Sequence, residues 1–351
     1  MTAVPILMYH SVTDRPTPET RALSVPVAAF ADQMAHLAEH GFAPVPFSAH
    51  AASRRPARGS VPPSERASGR PVVITFDDGY ADFHENALPI LERHGFTATL
   101  FVTTGWLADA GPDAAGRPLD RTLSWTQVAE AAAHGIEIGG HSHSHPQLDQ
   151  LGDRALREEL ARNRGLLEER LGRDVRTMAY PFGYSSARVR RMARAVGYDT
   201  ACAVANRMAS GGADPLAVPR LTVRATTGPG TFARVVEGRD ISRIFLKDHA
   251  LTRGYAIVRR GRYAVHRALA PRGGDLPPHH GAAGRSRTER HVPGAGTSAE
   301  RDVPGAGTSG ERRDPGAGAS SEQDICGGDA GGERDVRGAG AGGGDHLGER
   351  L

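Results

Sequence analysis

From its N-terminus to about residue 240 the chain alternates short apolar runs with amphipathic stretches. Pro5-Ile-Leu-Met-Tyr9 reads as a strand. The segment opened by Pro26, with Phe30, Met34 and Leu37 recurring on one face and Gly41 stopping it, reads as a helix. Residues 50–71 are rich in Arg, Ser, Pro and Ala without periodicity, and a surface loop is expected there. Pro71-Val-Val-Ile-Thr-Phe76 has the unbroken apolar character of a strand covered on both faces. Beyond it the pattern predicts helices over 85–94, 125–134, 153–171 and 186–196, and strands over 97–102, 136–138, 177–180 and 200–204. Repeated β-then-α order specifies an α/β architecture with a parallel sheet or barrel. Reactive groups in such folds sit on the loops that follow the C-terminal ends of the strands.

Composition changes this picture only near the C-terminus of the 351-residue chain. Residues 271–351 are dominated by Gly, Ala, Pro, Ser, Arg and acids, and the unit Val292-Pro-Gly-Ala-Gly-Thr-Ser298 recurs at 303–309 and, degraded, at 315–320. Pro and Gly inside every unit oppose a helix, and no apolar face is available for burial, so a disordered tail is expected. Residues 1–240 then form one domain. Residues 241–270 form a basic amphipathic segment in which Arg243, Lys247, Arg253, Arg259, Arg260, Arg262 and Arg267 face only Asp248. A solvated final helix accounts for it, with contact to an anionic membrane surface as the alternative.

The net charge of +3, with no basic run interleaved with aromatics, argues against a nucleic-acid partner. Cys202 and Cys326 are too far apart in character to suggest a disulfide scaffold or a cysteine metal site. No export signal or run of about 18 apolar residues is recognisable, which as the sequence stands implies a cytoplasmic protein.

Candidate chemistry gathers at three strand ends. Asp77-Asp78-Gly79 follows the strand ending at Phe76. One carboxylate there can bind a metal while the other acts as a base, although the same triplet also makes ordinary turns. Gly140-His-Ser-His-Ser-His-Pro146 puts His141, His143 and His145 at alternate positions. On a strand all three would face one side, and in a helical turn only His141 and His145 would meet; both arrangements can hold a divalent metal. A site of two histidines and one aspartate leaves positions open for water and a substrate oxygen, as a hydrolytic metal requires.

Thr75-Phe-Asp-Asp-Gly79, His141-Ser-His-Ser-His145-Pro146 and Tyr180-Pro-Phe-Gly183, in that order and spacing, resemble the polysaccharide deacetylase family (NodB homology, carbohydrate esterase family 4) over roughly residues 4–235. The resemblance implies a distorted (β/α) barrel and hydrolysis of N-acetyl groups on an N-acetylated carbohydrate. It implies a divalent metal, zinc first, with Asp77 as general base and Asp78, His141 and His145 as ligands. The Phe182 backbone amide would stabilise the oxyanion.

Two features depart from the family pattern. Ala179 stands where many members place an arginine that orients the base, and Leu216 to Arg224 is followed by no histidine before His249. Leu7-Met-Tyr-His-Ser-Val12 resembles the motif of the permuted poly-N-acetylglucosamine deacetylase branch, which implies His10 as the acid. His143, Tyr180 and Trp125 are expected to face substrate or, for His143, to support the ligands; Ser124 and Asp199 are expected near the groove. Two other functions fit the same residues: a deacylase for a small, non-polymeric substrate, and an inactive carbohydrate-binding homologue.

Overall fold

The computed structural model describes residues 3–53, 69–211 and 214–249, all within one compact unit. The basic segment beyond residue 249, the repeat-bearing tail and most of the loop before the Asp-Asp-Gly strand lie outside the described residues. The chain begins with strands β1 (Ile6–Tyr9), β2 (Ser11–Val12) and β3 (Ser24–Val25), helix α1 (Val27–Glu39), strand β4 (Phe42–Pro44) and helix α2 (Phe47–Ser53). Next come β5 (Arg70–Phe76), a π-helical turn (Phe83–Ala87) running into α3 (Leu88–Arg93), then β6 (Thr99–Val102), α4 (Trp125–Ala133) and β7 (Glu137–Gly140). The remainder is α5 (Asp153–Leu171), β8 (Thr177–Ala179), α6 (Ala187–Ala195), β9 (Thr200–Val204), β10 (Val218–Thr222), α7 (Pro229–Val236) and α8 (Ile241–Ile244).

Seven strands close a parallel barrel in the order β1-β5-β6-β7-β8-β9-β10. Closure depends on β1, which pairs with β5 from Ile6↔Val73 to Tyr9↔Phe76 and with β10 at Leu7↔Leu221 and Met8↔Thr222. β4 is a short flank on the first half of β5. The β-then-α pattern thus forms the distorted barrel expected. β10 escapes the apolar-run criterion because Pro219 interrupts it, a residue uncommon inside a sheet since it cannot donate to the ladder. Among the described residues no helix is long and apolar enough to cross a membrane.

The two-residue period of the strands divides the core in two. Ile6, Val73, Phe101, Ala179, Cys202 and Val218 point into the barrel, where Phe47 of α2 and Val4 join them. Leu7, Tyr9, Ile74, Phe76, Leu100, Val102 and Met178 point outward against Phe30, Met34 and Leu37 of α1 and the other helices. Phe101 fills so much of the interior that β7 must carry glycine beside it, because a Cβ on Gly139 would lie 2.6 Å from that ring. The inward register also carries Arg220 of β10 into the barrel on the same face as Val218.

Candidate active site

The loops after β5, β7 and β8 meet at one end of the barrel. Among the described residues Asp78, His141 and His145 form the one group able to hold a metal ion, with their ligand atoms within 4.8 Å of one another. Both Nε2 atoms lie 3.2 Å from Asp78 Oδ1. The Nδ1–H of His141 donates to the Ala179 carbonyl at 2.9 Å, so its Nε2 lone pair faces Asp78. Asp78 Oδ1 is buried without a hydrogen-bond donor. A buried, undonated carboxylate oxygen beside an imidazole with its lone pair turned inward is a donor set suited to a cation such as zinc.

The backbone bends sharply around this group. Six described residues other than glycine have positive φ, and Asp78 (75°), Ser142 (63°), His145 (60°) and Phe182 (60°) are four of them. Such conformations persist only where surrounding bonds enforce them. For the histidine loop α5 does so: the Glu159 carboxylate accepts from the amides of His143 (3.0 Å) and Ser144 (2.9 Å) and from the Ser144 hydroxyl. One turn on, Asn163 Nδ2 donates to the carbonyls of Val102 (3.0 Å) and Ser142 (2.7 Å), and its Oδ1 accepts from Tyr198 at 3.0 Å. Gly140 is needed there, because its Cβ would stand 2.3 Å from Asn163 Oδ1 and Tyr198 Oη.

Asp77 does not join the ligand group. Its two oxygens accept from the two guanidinium nitrogens of Arg220 at 2.6 Å each, and Arg220 also donates to Thr75 Oγ1 at 3.2 Å. Arg220 is fully buried and lies over Phe101. Burial alone would raise the Asp77 pKa, but Arg220, His141 and His10 outweigh it and hold the carboxyl below its usual range. The arginine absent at Ala179 is therefore matched by one that enters the barrel from β10. A period-2 reading of Val218 to Thr222 would have placed Arg220 facing inward with Val218.

His10 follows β1. Its Nδ1 is buried without a partner, and burial, opposed by Asp78 and Asp77, lowers its pKa. Asp82 anchors the adjoining segment by accepting from Ser11 Oγ (2.5 Å) and the Val12 amide (3.2 Å). Phe182 is 49% exposed, and its ring lies 4.8 Å from that of His145. Its amide has no hydrogen-bond partner among the described residues.

Several residues expected at a groove lie elsewhere. Trp125 is buried at the start of α4 beneath Arg170, and Ser124 caps that helix. Indole area suits a core as well as a sugar, and here the core takes it. Tyr180 is fully buried, its hydroxyl donating to the Leu216 carbonyl at 3.0 Å. Asp199 pairs with the exposed Arg176. His143 is 5% exposed and its Nδ1 bonds Thr104 Oγ1 at 3.0 Å, so it braces the loop from behind rather than facing substrate. The indole that does reach the site is Trp106, 4.6 Å from His145.

Residues 64–201 match the family model described as polysaccharide deacetylase. The chain is 26% identical over 236 residues to YxkH of Bacillus subtilis (strain 168), provisionally named a polysaccharide deacetylase, covering 67% of this chain and 76% of the relative. It is 32% identical over 142 residues to the poly-beta-1,6-N-acetyl-D-glucosamine N-deacetylase of Escherichia coli (strain K12), a match spanning 39% of this chain but 20% of that protein. In fold it is similar to the Streptococcus pyogenes deacetylase PplD in complex with acetate, with a TM-score of 0.57 at 23% identity over 67% of this chain and 98% of that one. IcaB from Ammonifex degensii gives a TM-score of 0.54 at 24% identity, over 67% and 96% of the two chains. With its barrel and its sequence motifs in agreement with that match, the chain carries over residues 64–201 a polysaccharide deacetylase domain, the domain of hydrolases acting on carbon–nitrogen bonds.

Proposed function

We propose that the protein is a metal-dependent N-deacetylase that hydrolyses the acetamido group of an N-acetylglucosamine-type saccharide to acetate and a free amine. The observation that carries this reading is the separation of two adjacent carboxylates: Asp78 faces His141 and His145 with an undonated oxygen, while Asp77 is clamped by Arg220. Asp78, His141 and His145 would hold the cation, zinc being the ion best matched to two imidazoles and a carboxylate. Bound there, the cation would lower the pKa of water and polarise the acyl carbonyl.

Asp77, oriented by Arg220 and kept ionised by it, removes the proton from the attacking water. The Phe182 amide, which has no hydrogen-bond partner among the described residues, donates to the developing oxyanion. His10 protonates the departing sugar amine. Its Nδ1 has no partner among the described residues, which leaves that nitrogen able to donate to the amine. The N-acetylated saccharide follows from the family and from the Escherichia coli relative's name. The arginine clamp on Asp77 weighs against reading the chain as an inactive homologue.

The test is acetate release from N-acetylglucosamine oligomers by zinc-loaded protein, beside chelated protein and the Asp77→Asn and His10→Ala variants. Asp77→Asn and chelation are expected to abolish release, and His10→Ala to lower it by about a hundredfold. Release that survives chelation or Asp77→Asn would sink the mechanism.

A further inference from the structure

The backbone that carries His10 is held on both sides. Before it, β1 is paired into the barrel, and the Asp77 amide donates to the Tyr9 carbonyl at 3.1 Å. After it, β2 pairs with β3 through Ser11↔Ser24 and Val12↔Val25, and the Thr13 amide donates to the Val25 carbonyl at 3.0 Å. Successive strand residues turn their N–H and C=O groups to opposite edges, so Val12 presents both of its groups to the edge away from β3. Two side chains take the place of a strand there. Asp82 Oδ1 accepts from the Val12 amide at 3.2 Å, and Asn86 Nδ2 donates to the Val12 carbonyl at 2.8 Å. Asp82 Oδ2 also accepts from the Ser11 hydroxyl at 2.5 Å, the length of a charge-assisted bond, and both groups are buried. Asp82 caps the π-helical turn and Asn86 lies four residues on within it, a spacing that brings both to one face.

We infer that Asp82 and Asn86 are positioning residues for His10, fixing its imidazole relative to Asp77 by gripping the two residues that follow it. This rests on the deacetylase reading above, in which His10 is the acid, and adds what sets the acid's place. No hydrogen bond among the described residues fixes the ring at Nδ1, so the imidazole goes where its backbone carries it. The base, a proposed metal ligand and both grips lie in one stretch, from Asp77 to Asn86. A shift of the loop after β5 therefore carries base and acid together and preserves the gap between them. That gap matters, because a displacement of about 1 Å in a reacting group can cost about a hundredfold in rate.

The zinc-loaded protein is assayed on two substrates: the N-acetylglucosamine hexamer, whose amine leaves only with a proton, and para-nitrophenyl acetate, whose phenolate leaves without one. In Asp82→Ala the ratio of amide to ester rate should fall by about tenfold, and in Asn86→Ala, which removes the less buried grip, severalfold. Asp82→Asn keeps an acceptor for the Val12 amide and should recover most of the ratio. In a His10→Ala background Asp82→Ala should change the amide rate by no more than about twofold, because the acid it positions is gone. Equal losses on both substrates, a fall of about tenfold in the His10→Ala background, or a matching loss of zinc affinity would overturn the inference and leave Asp82 a purely structural group. A readout independent of turnover is the His10 imidazole signal in carbon–proton NMR, assigned by its absence from His10→Ala. It should move in Asp82→Ala and in Asn86→Ala, and an unmoved signal would overturn the inference whatever the rates. A moved signal in a protein whose wild type releases no acetate would keep the positioning role and sink the deacetylase reading.

Discussion

Arg220 and Asp77 form a fully desolvated ion pair at the base of the site, with both carboxylate oxygens engaged. Removing one member of such a pair leaves the other charged and buried, so Arg220→Met should destabilise the protein by about 3–5 kcal/mol in thermal or denaturant unfolding. Acetate release should fall by about a hundredfold even where the variant remains folded, because the carboxylate loses its fixed orientation. Arg220→Lys keeps the charge but not the fork, and should recover stability better than activity. Equal activity in wild type and Arg220→Met would remove the arginine from the mechanism. The histidines were legible in the sequence because three within five residues at a strand end are unusual, and the aspartates, which alone also suit an ordinary turn, became legible beside them. Arg220 was not, since a lone arginine in a chain with 43 Lys and Arg residues carries no signal until strand register turns it inward. Trp106 and Trp125 show the same limit: composition supplies two indoles, and packing alone decides that the first touches His145 while the second lies in the core.

Helix α5 links the barrel wall to the histidine loop. Its apolar stripe of Leu156, Leu160 and Leu167 is buried, as its 3.6-residue period anticipates, and Asn163 is buried within that stripe. A polar residue at a core position signals a specific partner, and here the partners are the Val102 and Ser142 carbonyls and the Tyr198 hydroxyl. Asn163→Leu strips donors from buried carbonyls and should cost about 2–3 kcal/mol of stability. Because Ser142 directly follows His141, the ligand proposed above, zinc affinity should also fall by about tenfold or more. Stability lost without any change in zinc affinity would make the network purely structural. The elements with strong periodicity were readable from sequence, with boundaries close to those observed. Those missed were short or interrupted: α2 carries helix to Ser53, into the stretch expected as a surface loop, β4 has three residues, and Pro219 breaks β10, which carries the arginine clamp.

At the scale of the whole molecule, the barrel closes between Ile6 and Thr222, and α7 and α8 then seal its outer face. Phe232, Val235 and Val236 of α7 are buried in the outer core, and Phe245 beyond α8 is 4% exposed. Every described residue that the site or its supports use lies before these positions. We propose from composition that residues 271–351 add nothing to this domain: they hold repeats of Pro, Gly and small residues and no apolar face. Ending the chain after Arg272 should then leave acetate release within about twofold and shift the unfolding midpoint by no more than about 2 °C. A cut after Gly228 is the contrasting case. It removes four buried apolar side chains at about 1.5–3 kcal/mol each, enough to unfold a domain of ordinary stability. Circular dichroism melts and acetate assays on both truncations separate the possibilities, and a large loss of either property in the chain ending at Arg272 would assign the Gly- and Pro-rich region a role in the fold or in catalysis.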